Sequence, residues 1–189
     1  MAKRYWLFKS EPDVFSFSDL KQSPDQTTSW EGVRNYQARN LLRDEIKVGD
    51  EVLFYHSRQD PMHVAGVCRV VREAYPDRDQ FDPKSKYYDP KSKKESPTWV
   101  MVDVQYVHEF KRPVTLKELK ETPGLEEMML LRRGARLSIQ PVSPAEWKIV
   151  TKMGNSKAPA SPSSKGKAAK SETPKTKTTK AKNEGKARR

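Results

Sequence analysis

Cysteine is nearly absent from this sequence of 189 residues, since Cys68 is the only one. A single cysteine cannot form a disulfide within the chain, and this usage fits a reducing, intracellular setting. The sequence also lacks an apolar run of about 18 residues, the shortest that indicates a membrane-spanning helix, and its first residues lack the pattern of a secretory signal. We therefore expect a protein that acts inside the cell and is not held in a membrane.

Histidine is scarce as well, and its positions argue against metal or hydrolytic chemistry. The three histidines, His56, His63 and His108, are not spaced as a zinc site requires, and one cysteine cannot complete such a site. His56 and Ser57 are adjacent, so on a strand they would point to opposite faces and could not act together as base and nucleophile. We predict no metal and no cofactor.

Acidic residues are in deficit, but mainly in one part of the chain. The formal net charge is +12, and residues 155–189 alone hold 11 Lys and Arg against 2 Asp and Glu. This segment has no aromatic residue and cannot bury a core, which predicts a globular domain over residues 1–154 and a disordered basic tail over 155–189. In composition the tail resembles those of linker-histone-like DNA-compacting proteins, and we expect it to add sequence-independent affinity for nucleic acid.

The stretch from residue 30 to residue 40 combines side chains that suit a nucleic acid. It predicts a loop, helped by Gly32, that leads into a helix from about Arg34. Trp30 would sit at the loop tip, where its ring could stack on a base while Asn35 reads an edge and an arginine takes a phosphate. Composition alone also allows a simpler interpretation, in which Trp30 is a buried anchor of the loop beside a solvated basic face.

Short strands with helices between them predict a small mixed sheet that curves towards a barrel. Capping patterns predict helix starts at Ser16 or Ser18, at Thr115 and at Ser143, and Gly154 is expected to end the last helix. The strands are expected at residues 5–9, 51–57, 64–72, 98–107 and 137–142, a further helix at 125–131, and polar loop at 23–29.

Residues 75–97 have little apolar content and repeat one phrase, Asp-Pro-Lys-Ser-Lys, at 82–86 and at 89–93. We expect a long solvated excursion from the sheet. Structureless loops of this length are uncommon, so a function is a reasonable hypothesis for it.

Five motifs follow one another along the chain, at residues 6–12, 30–40, 54–57, 66 with 75–77, and 136–142. In this order they resemble the EVE domain, and the resemblance covers roughly residues 3–153. The resemblance implies an α+β, PUA-like fold, which is a small β-barrel flanked by short helices and related to the YTH and ASCH domains. It also implies a pocket for a single modified nucleobase, such as a modified cytosine, and no catalysis.

The partner implied by the resemblance is nucleic acid, with DNA favoured over RNA. We expect a monomer, located in the nucleus of a eukaryotic cell or in the cytoplasm and nucleoid of a bacterium. The residues that the motifs assign to the base pocket are Ser10 and Glu11, then Trp30, Val33, Arg34, Asn35 and Tyr36, then Tyr55, His56 and Ser57, and last Arg136, Leu137 and Ser138. The cations expected at the neighbouring phosphates are Lys9, Arg39 and Arg43.

Two other functions stay open from the residues alone. The protein could be an enzyme that acts on a base or nucleotide with Glu11 or His56 as its base, although a structural carboxylate is the simpler role for Glu11. It could also be a general DNA-compacting protein whose tail provides all of the binding.

Overall fold

The computed structural model of the protein describes residues 3–156, so the expected disordered tail lies outside the described residues apart from Asn155 and Ser156. Within this range the strands are β1 Tyr5–Ser10, β2 Thr27–Trp30, β3 Glu51–His56, β4 His63–Pro76, β5 Val100–Thr115 and β6 Ile139–Val142. The α-helices are α1 Phe17–Gln22, α2 Tyr36–Asn40, α3 Leu116–Glu121 and α4 Pro144–Asn155. A π-helical turn follows α2 at Leu41–Glu45, and 3₁₀ turns lie at Pro24–Gln26, Arg78–Phe81 and Met129–Leu131.

The strands form one mixed sheet in the order β2–β5–β4–β3–β1–β6. β1 and β3 run parallel, and the other neighbouring strands are antiparallel. Register shifts interrupt the long β4–β5 ladder at four places, and such bulges bend a sheet and increase its twist. The predicted α+β class with a curved sheet and short helices is confirmed.

Side chains alternate between the two faces of the central strands, and each face covers its own apolar cluster. In β3, Val52 and Phe54 belong to the first cluster, whereas Leu53 and Tyr55 belong to the second. Helices α1 and α2 complete the first cluster, and α3 and α4 complete the second. The candidate site described below borders the first cluster.

The predicted helix starts are confirmed. Ser16, Thr115 and Ser143 are the N-caps of α1, α3 and α4, and each forms a capping box with the acidic residue three positions later. Because the box is a local interaction, it can be read from sequence without knowledge of the fold.

Three other predictions were wrong. Polar loop was expected at 23–29, but residues 27–30 are strand β2, because these residues gain their backbone hydrogen-bond partners from β5. The helix expected at 125–131 is reduced to a 3₁₀ turn at Met129–Leu131. The strand expected at 98–107 begins at Val100 and continues to Thr115.

Gly154 does not end the last helix, which continues through Asn155 with Ser156 as its C-cap. Glycine is required at this position because a side chain would collide with a neighbouring ring. A Cβ at this position would lie 2.2 Å from the ring of Phe110, which packs directly on the helix backbone.

Gly154→Ala should therefore destabilise the protein, although alanine favours a helix over glycine by about 1 kcal/mol. We expect a net loss of about 1–3 kcal/mol in the free energy of unfolding, because the added methyl group overpacks the contact with Phe110. Urea unfolding measures the effect, and Lys152→Ala on the exposed side of the same helix is the matched control. A stabilised Gly154→Ala variant would show that helix propensity outweighs this contact.

Candidate nucleic-acid interface

A cavity of about 860 Å³ opens where β1 and β2 end. Four parts of the chain line it: the end of β1 with the segment after it, β2 with its following loop, the segment between β4 and β5, and Ser138 just before β6. We call residues 77–99, which join β4 to β5, the excursion.

Trp30 lines the cavity and is at the same time part of the core. It is only 8% exposed, and its ring centroid lies 5.1 Å from that of Phe8 and 5.4 Å from that of Phe54. Trp30 is the last residue of β2, paired with Val102, and not the tip of a loop as predicted. Trp30 is therefore a core anchor, as one of the two interpretations expected, and it also lines the cavity.

One wall of the cavity is held by the carboxylate of Asp77, which is completely buried. Its Oδ2 accepts hydrogen bonds from Nη1 of Arg34 at 2.7 Å and from the backbone N–H of Gly32 at 3.0 Å. Its Oδ1 accepts from the N–H of Asp79 at 2.9 Å. The buried charge thus joins the loop after β2 to the start of the excursion.

Tyr87 of the excursion forms the outer part of the same wall. Nε of Arg34 donates to its carbonyl at 2.8 Å, and the Arg34 guanidinium lies 5.2 Å from the centre of its ring. The ring packs against the backbone of Gly32, where a Cβ would come within 2.5 Å of it. Gly32 also has φ +76°, so both its conformation and its contact require glycine.

The expectation that the excursion is simply solvated was wrong, because this segment has a buried polar frame. Gln80 is fully buried, and its amide donates to the carbonyls of Asp77 and Trp99 and accepts from the N–H of Trp99. Trp99 is 5% exposed, and its ring N–H donates to Asp89 at 2.8 Å. These contacts give the segment a fixed shape beside the cavity.

The rim of the cavity on the β1 side is polar. The hydroxyl of Ser10 donates to the carbonyl of Phe15 at 2.5 Å, and the carboxylate of Glu11 pairs with Arg58 at 3.2 Å. The backbone N–H of Lys9 donates to the carbonyl of Ser138 at 2.9 Å, which brings β1 and the segment before β6 together.

Both signs of charge line the cavity: Lys9, Arg34, Arg58 and Lys86 with Glu11, Glu31 and Asp79. Burial lowers the pKa of Lys9, whose ammonium donates to the carbonyl of Ala135 at 3.2 Å. Partial desolvation, followed by the negative charges of Asp79 and Asp77, raises the pKa of Glu31. A ligand that offers both donors and acceptors would find partners here.

The structure brings some of the predicted pocket residues together at this cavity. They are Ser10, Glu11, Trp30, Val33, Arg34 and Ser138, with Lys9 from the predicted phosphate set. Arg34 holds the wall through Nη1, which pairs with the buried Asp77, and through Nε, which donates to the carbonyl of Tyr87, while its Nη2 has no hydrogen-bond partner among the described residues.

Two predicted residues of the loop–helix motif lie outside the lining. Asn35 is the N-cap of α2, and its Oδ1 accepts from the N–H of Ala38 at 3.0 Å. Tyr36 is 60% exposed, and its ring lies 4.9 Å from that of Trp99, on the other side of the wall. Arg39 lies over Tyr36 and donates to the carbonyl of Thr98.

The predicted residues at the end of β3 also lie outside the lining. Tyr55 is buried in the second cluster, and this burial raises its pKa to about 12. Nε2 of His56 accepts a hydrogen bond from the N–H of Phe17 at 3.0 Å. The N–H of Ser57 donates to the carbonyl of Ser10 at 2.8 Å, so Ser57 positions the rim.

The remaining predicted residues have other surroundings. Arg136 is exposed, Leu137 packs against the first cluster, and Arg43 is exposed and paired with Asp44 at 2.7 Å. None of the three lines the cavity.

Sequence reasoning missed the contribution of the excursion to the cavity, namely Asp79, Ser85, Lys86 and Tyr87. The repeated phrase marked this segment as unusual, but no local rule assigned it to the pocket. Within the described residues, no group of three His, Cys, Asp or Glu side chains could hold a metal ion. Nor is any helix among them long and apolar enough to cross a membrane.

His56 gives the domain a testable pH dependence. Burial, followed by the nearby His63, lowers its pKa from 6.5 to about 4, so the unfolded chain takes up a proton at a higher pH than the folded one. The contribution of neutral His56 is complete above about pH 6.5 and is lost as the pH falls towards 4. Between pH 7 and pH 5 the free energy of unfolding should fall by about 2 kcal/mol from this group.

Urea unfolding of the wild type and of His56→Gln across this range checks the expectation. The variant should lose that part of the pH dependence. Parallel curves for the two proteins would show that His56 titrates alike in the folded and unfolded chains.

The Asp77–Arg34 pair should matter far more for stability than an exposed pair. Asp77→Asn leaves Arg34 without its counter-charge in a partly buried site, at a cost of about 3 kcal/mol. Lys47→Ala breaks the exposed pair with Glu73 and should cost at most about 1 kcal/mol. Urea unfolding compares them, and equal losses would mean that the buried pair does not hold the wall.

Comparisons with known proteins place these features in a family. The sequence profile of the EVE domain matches residues 4–153. Thymocyte nuclear protein 1 of Homo sapiens is 46% identical over 162 residues, which are 77% of this chain and 72% of that protein.

Solved structures are similar over the same region. A structure of human THYN1 protein in complex with 5-methylcytosine containing DNA has a TM-score of 0.77 and 44% identity, covering 82% of this chain and 99% of that one. A hypothetical protein from Leishmania major has a TM-score of 0.75 and 46% identity, covering 81% and 95%. The chain belongs to the EVE domain family.

Proposed function

We propose that the domain binds DNA that contains a modified cytosine, and that it holds the modified base, flipped out of the duplex, in the cavity beside Trp30. The observation that carries the proposal is the cavity itself, which combines aromatic walls, a polar rim and cations. The complex of human THYN1 protein with 5-methylcytosine containing DNA supports it, since the two chains are 44% identical over most of their length.

The shape of the cavity suits a single base. A base in a duplex is stacked and paired, so a protein that reads all of it must extrude it, and the extruded base needs new stacking partners. Trp30 and Tyr87 supply aromatic surface, and Val33 adds an apolar contact for a 5-methyl group. Stacking on one aromatic side chain is worth about 1–3 kcal/mol per base.

The polar lining suits the edge of cytosine. The exocyclic amino group is a donor, and Glu11, Glu31 and Asp79 offer carboxylate acceptors. The carbonyl oxygen of cytosine is an acceptor, and the hydroxyls of Thr28 and Ser138 can donate to it.

The phosphates on either side of the base need cations at the rim. Arg58 and Lys86 line the cavity and are exposed, so they are the best-placed candidates, together with the half-buried Lys9. In this proposal the chain divides into a reading domain, residues 1–154, and a basic tail, residues 155–189, that adds affinity without sequence preference.

We propose binding without chemical conversion. His56, the candidate base, accepts a hydrogen bond from a backbone N–H and has a pKa of about 4, so it is poorly suited to take a proton near neutral pH. Glu11, the other candidate, is paired with Arg58 at the rim. The relatives are named nuclear proteins, which supports action on chromosomal DNA, in the nucleus if the cell is eukaryotic.

Paired binding measurements test the proposal on identical duplexes that contain cytosine or 5-methylcytosine at one position. The wild type should prefer the methylated duplex, and Trp30→Phe should reduce this preference about five- to tenfold because the stacking surface shrinks. Phenylalanine is chosen because Trp30→Ala would also remove a core side chain, at about 3–5 kcal/mol.

Tyr55→Phe provides the comparison, since Tyr55 packs in the second cluster away from the cavity and should leave the preference unchanged. Equal affinity of the wild type for the two duplexes would refute the reader function. Mass spectrometry of the recovered DNA tests the alternative that the protein is an enzyme, because an enzyme would leave a chemically converted base.

A further inference from the structure

The excursion carries five lysines, and all of them face solvent: Lys84, Lys86, Lys91, Lys93 and Lys94. Within residues 3–156 none of the five forms an ion pair. Some lysines elsewhere on the surface are paired, as Lys21 is with Glu109 and Lys47 is with Glu73, whereas the excursion collects in one segment five lysines that are unpaired within the described residues. The positive charge of the excursion is therefore available to a partner.

Four of the five acidic residues of the same segment, Asp77, Asp79, Asp82 and Asp89, accept hydrogen bonds from groups of the protein, whereas Glu95 is exposed. The carboxylates of Asp82 and Asp89 accept from the backbone N–H groups of Lys84 and Lys91 at 2.9 and 3.0 Å, and Asp89 also accepts from the ring N–H of Trp99. Asp82 and Asp89 thus stabilise the two turns, and the lysines are exposed.

The two copies of Asp-Pro-Lys-Ser have the same conformation. In each, the aspartate carbonyl accepts from the serine N–H three residues later at 3.0 Å, with proline at the second position of the turn. The serine hydroxyls attach the turns to the frame, since Ser85 donates to Asp79 and Ser92 donates to the buried Gln80. Two equivalent turns therefore present their lysines from a fixed base.

This basic surface is continuous with the cavity. Lys86 and Tyr87 belong to the excursion and line the cavity, and the ammonium of Lys86 lies 4.8 Å from the centre of the Tyr87 ring. A strand whose base enters the cavity would meet Lys86 at the wall, and the other four lysines belong to the same segment.

We propose that the excursion is a second contact surface, which binds the phosphates of the DNA strand next to the base in the cavity. The inference rests on the proposed function and adds the part of the site that supplies affinity without sequence preference. Lysine–phosphate contacts of this kind fix the register of a strand and carry no base information.

The test neutralises Lys84, Lys91, Lys93 and Lys94 to glutamine in the full chain and leaves Lys86, which lines the cavity, unchanged. The matched control neutralises four exposed lysines around β5, α3 and α4, namely Lys111, Lys117, Lys120 and Lys148, which form no ion pair within residues 3–156. Both variants keep the same tail, so its contribution cancels in the comparison.

The excursion variant should bind methylated and unmethylated long duplexes about tenfold more weakly than the control variant does, with its base preference intact. The slope of log affinity against log salt should become shallower by about 0.9 for each phosphate that the lysines no longer neutralise. On a short duplex that ends close to the base, the two variants should bind alike.

The measurements distinguish failure of this proposal from failure of the proposed function. If the two variants bind the long duplex alike, the excursion is not a DNA contact, and an acidic protein surface becomes the better partner for its lysines. If the excursion variant binds short and long duplexes with equally reduced affinity, the lysines act through the overall positive charge of the protein. The proposed contact surface is then refuted. A wild type without base preference would refute the proposed function, whatever the lysines do.

Discussion

The buried carboxylate of Asp77 is the interaction on which the candidate site depends. A charge removed from water is costly unless it is paired and fully hydrogen-bonded, and Asp77 meets this condition with Arg34 and the N–H groups of Gly32 and Asp79. Its three donors come from two segments that are distant in sequence. Satisfying the charge therefore fixes the loop after β2 against the excursion, and the contact of Tyr87 with Gly32 follows from this arrangement.

Most of the sheet and the helix starts could be predicted, because they depend on local rules. Short continuous apolar runs mark β1 and β3, and the capping boxes at Ser16, Thr115 and Ser143 mark three helices. Strand β2 could not be predicted in this way, since its polar residues become a strand only through pairing with β5. The fixed conformation of the excursion could not be predicted either, because it is held by polar groups whose partners are set by tertiary contacts.

The motif match named residues that line the cavity together with neighbours that lie outside the lining. A motif of consecutive residues on a strand divides between two faces of the sheet, so it cannot contribute all of its side chains to one cavity. Tyr55 and Phe54 show this directly, since they belong to opposite clusters. The same applies to Asn35, a residue type that reads base edges elsewhere but here caps α2.

In the proposed function, a single side chain, Trp30, serves both base stacking and the stability of the core. Its ring packs on Phe8 and Phe54, so its position in the cavity is fixed by the core and costs little further ordering when a base stacks on it. Tyr87 differs, because it is held on a segment that lies outside the sheet and depends on the Asp77 contacts. A base placed between these two aromatics would touch one surface set by the core and one set by the excursion. Changes in the excursion can therefore adjust the width and charge of the cavity while the sheet that supports Trp30 remains unaltered.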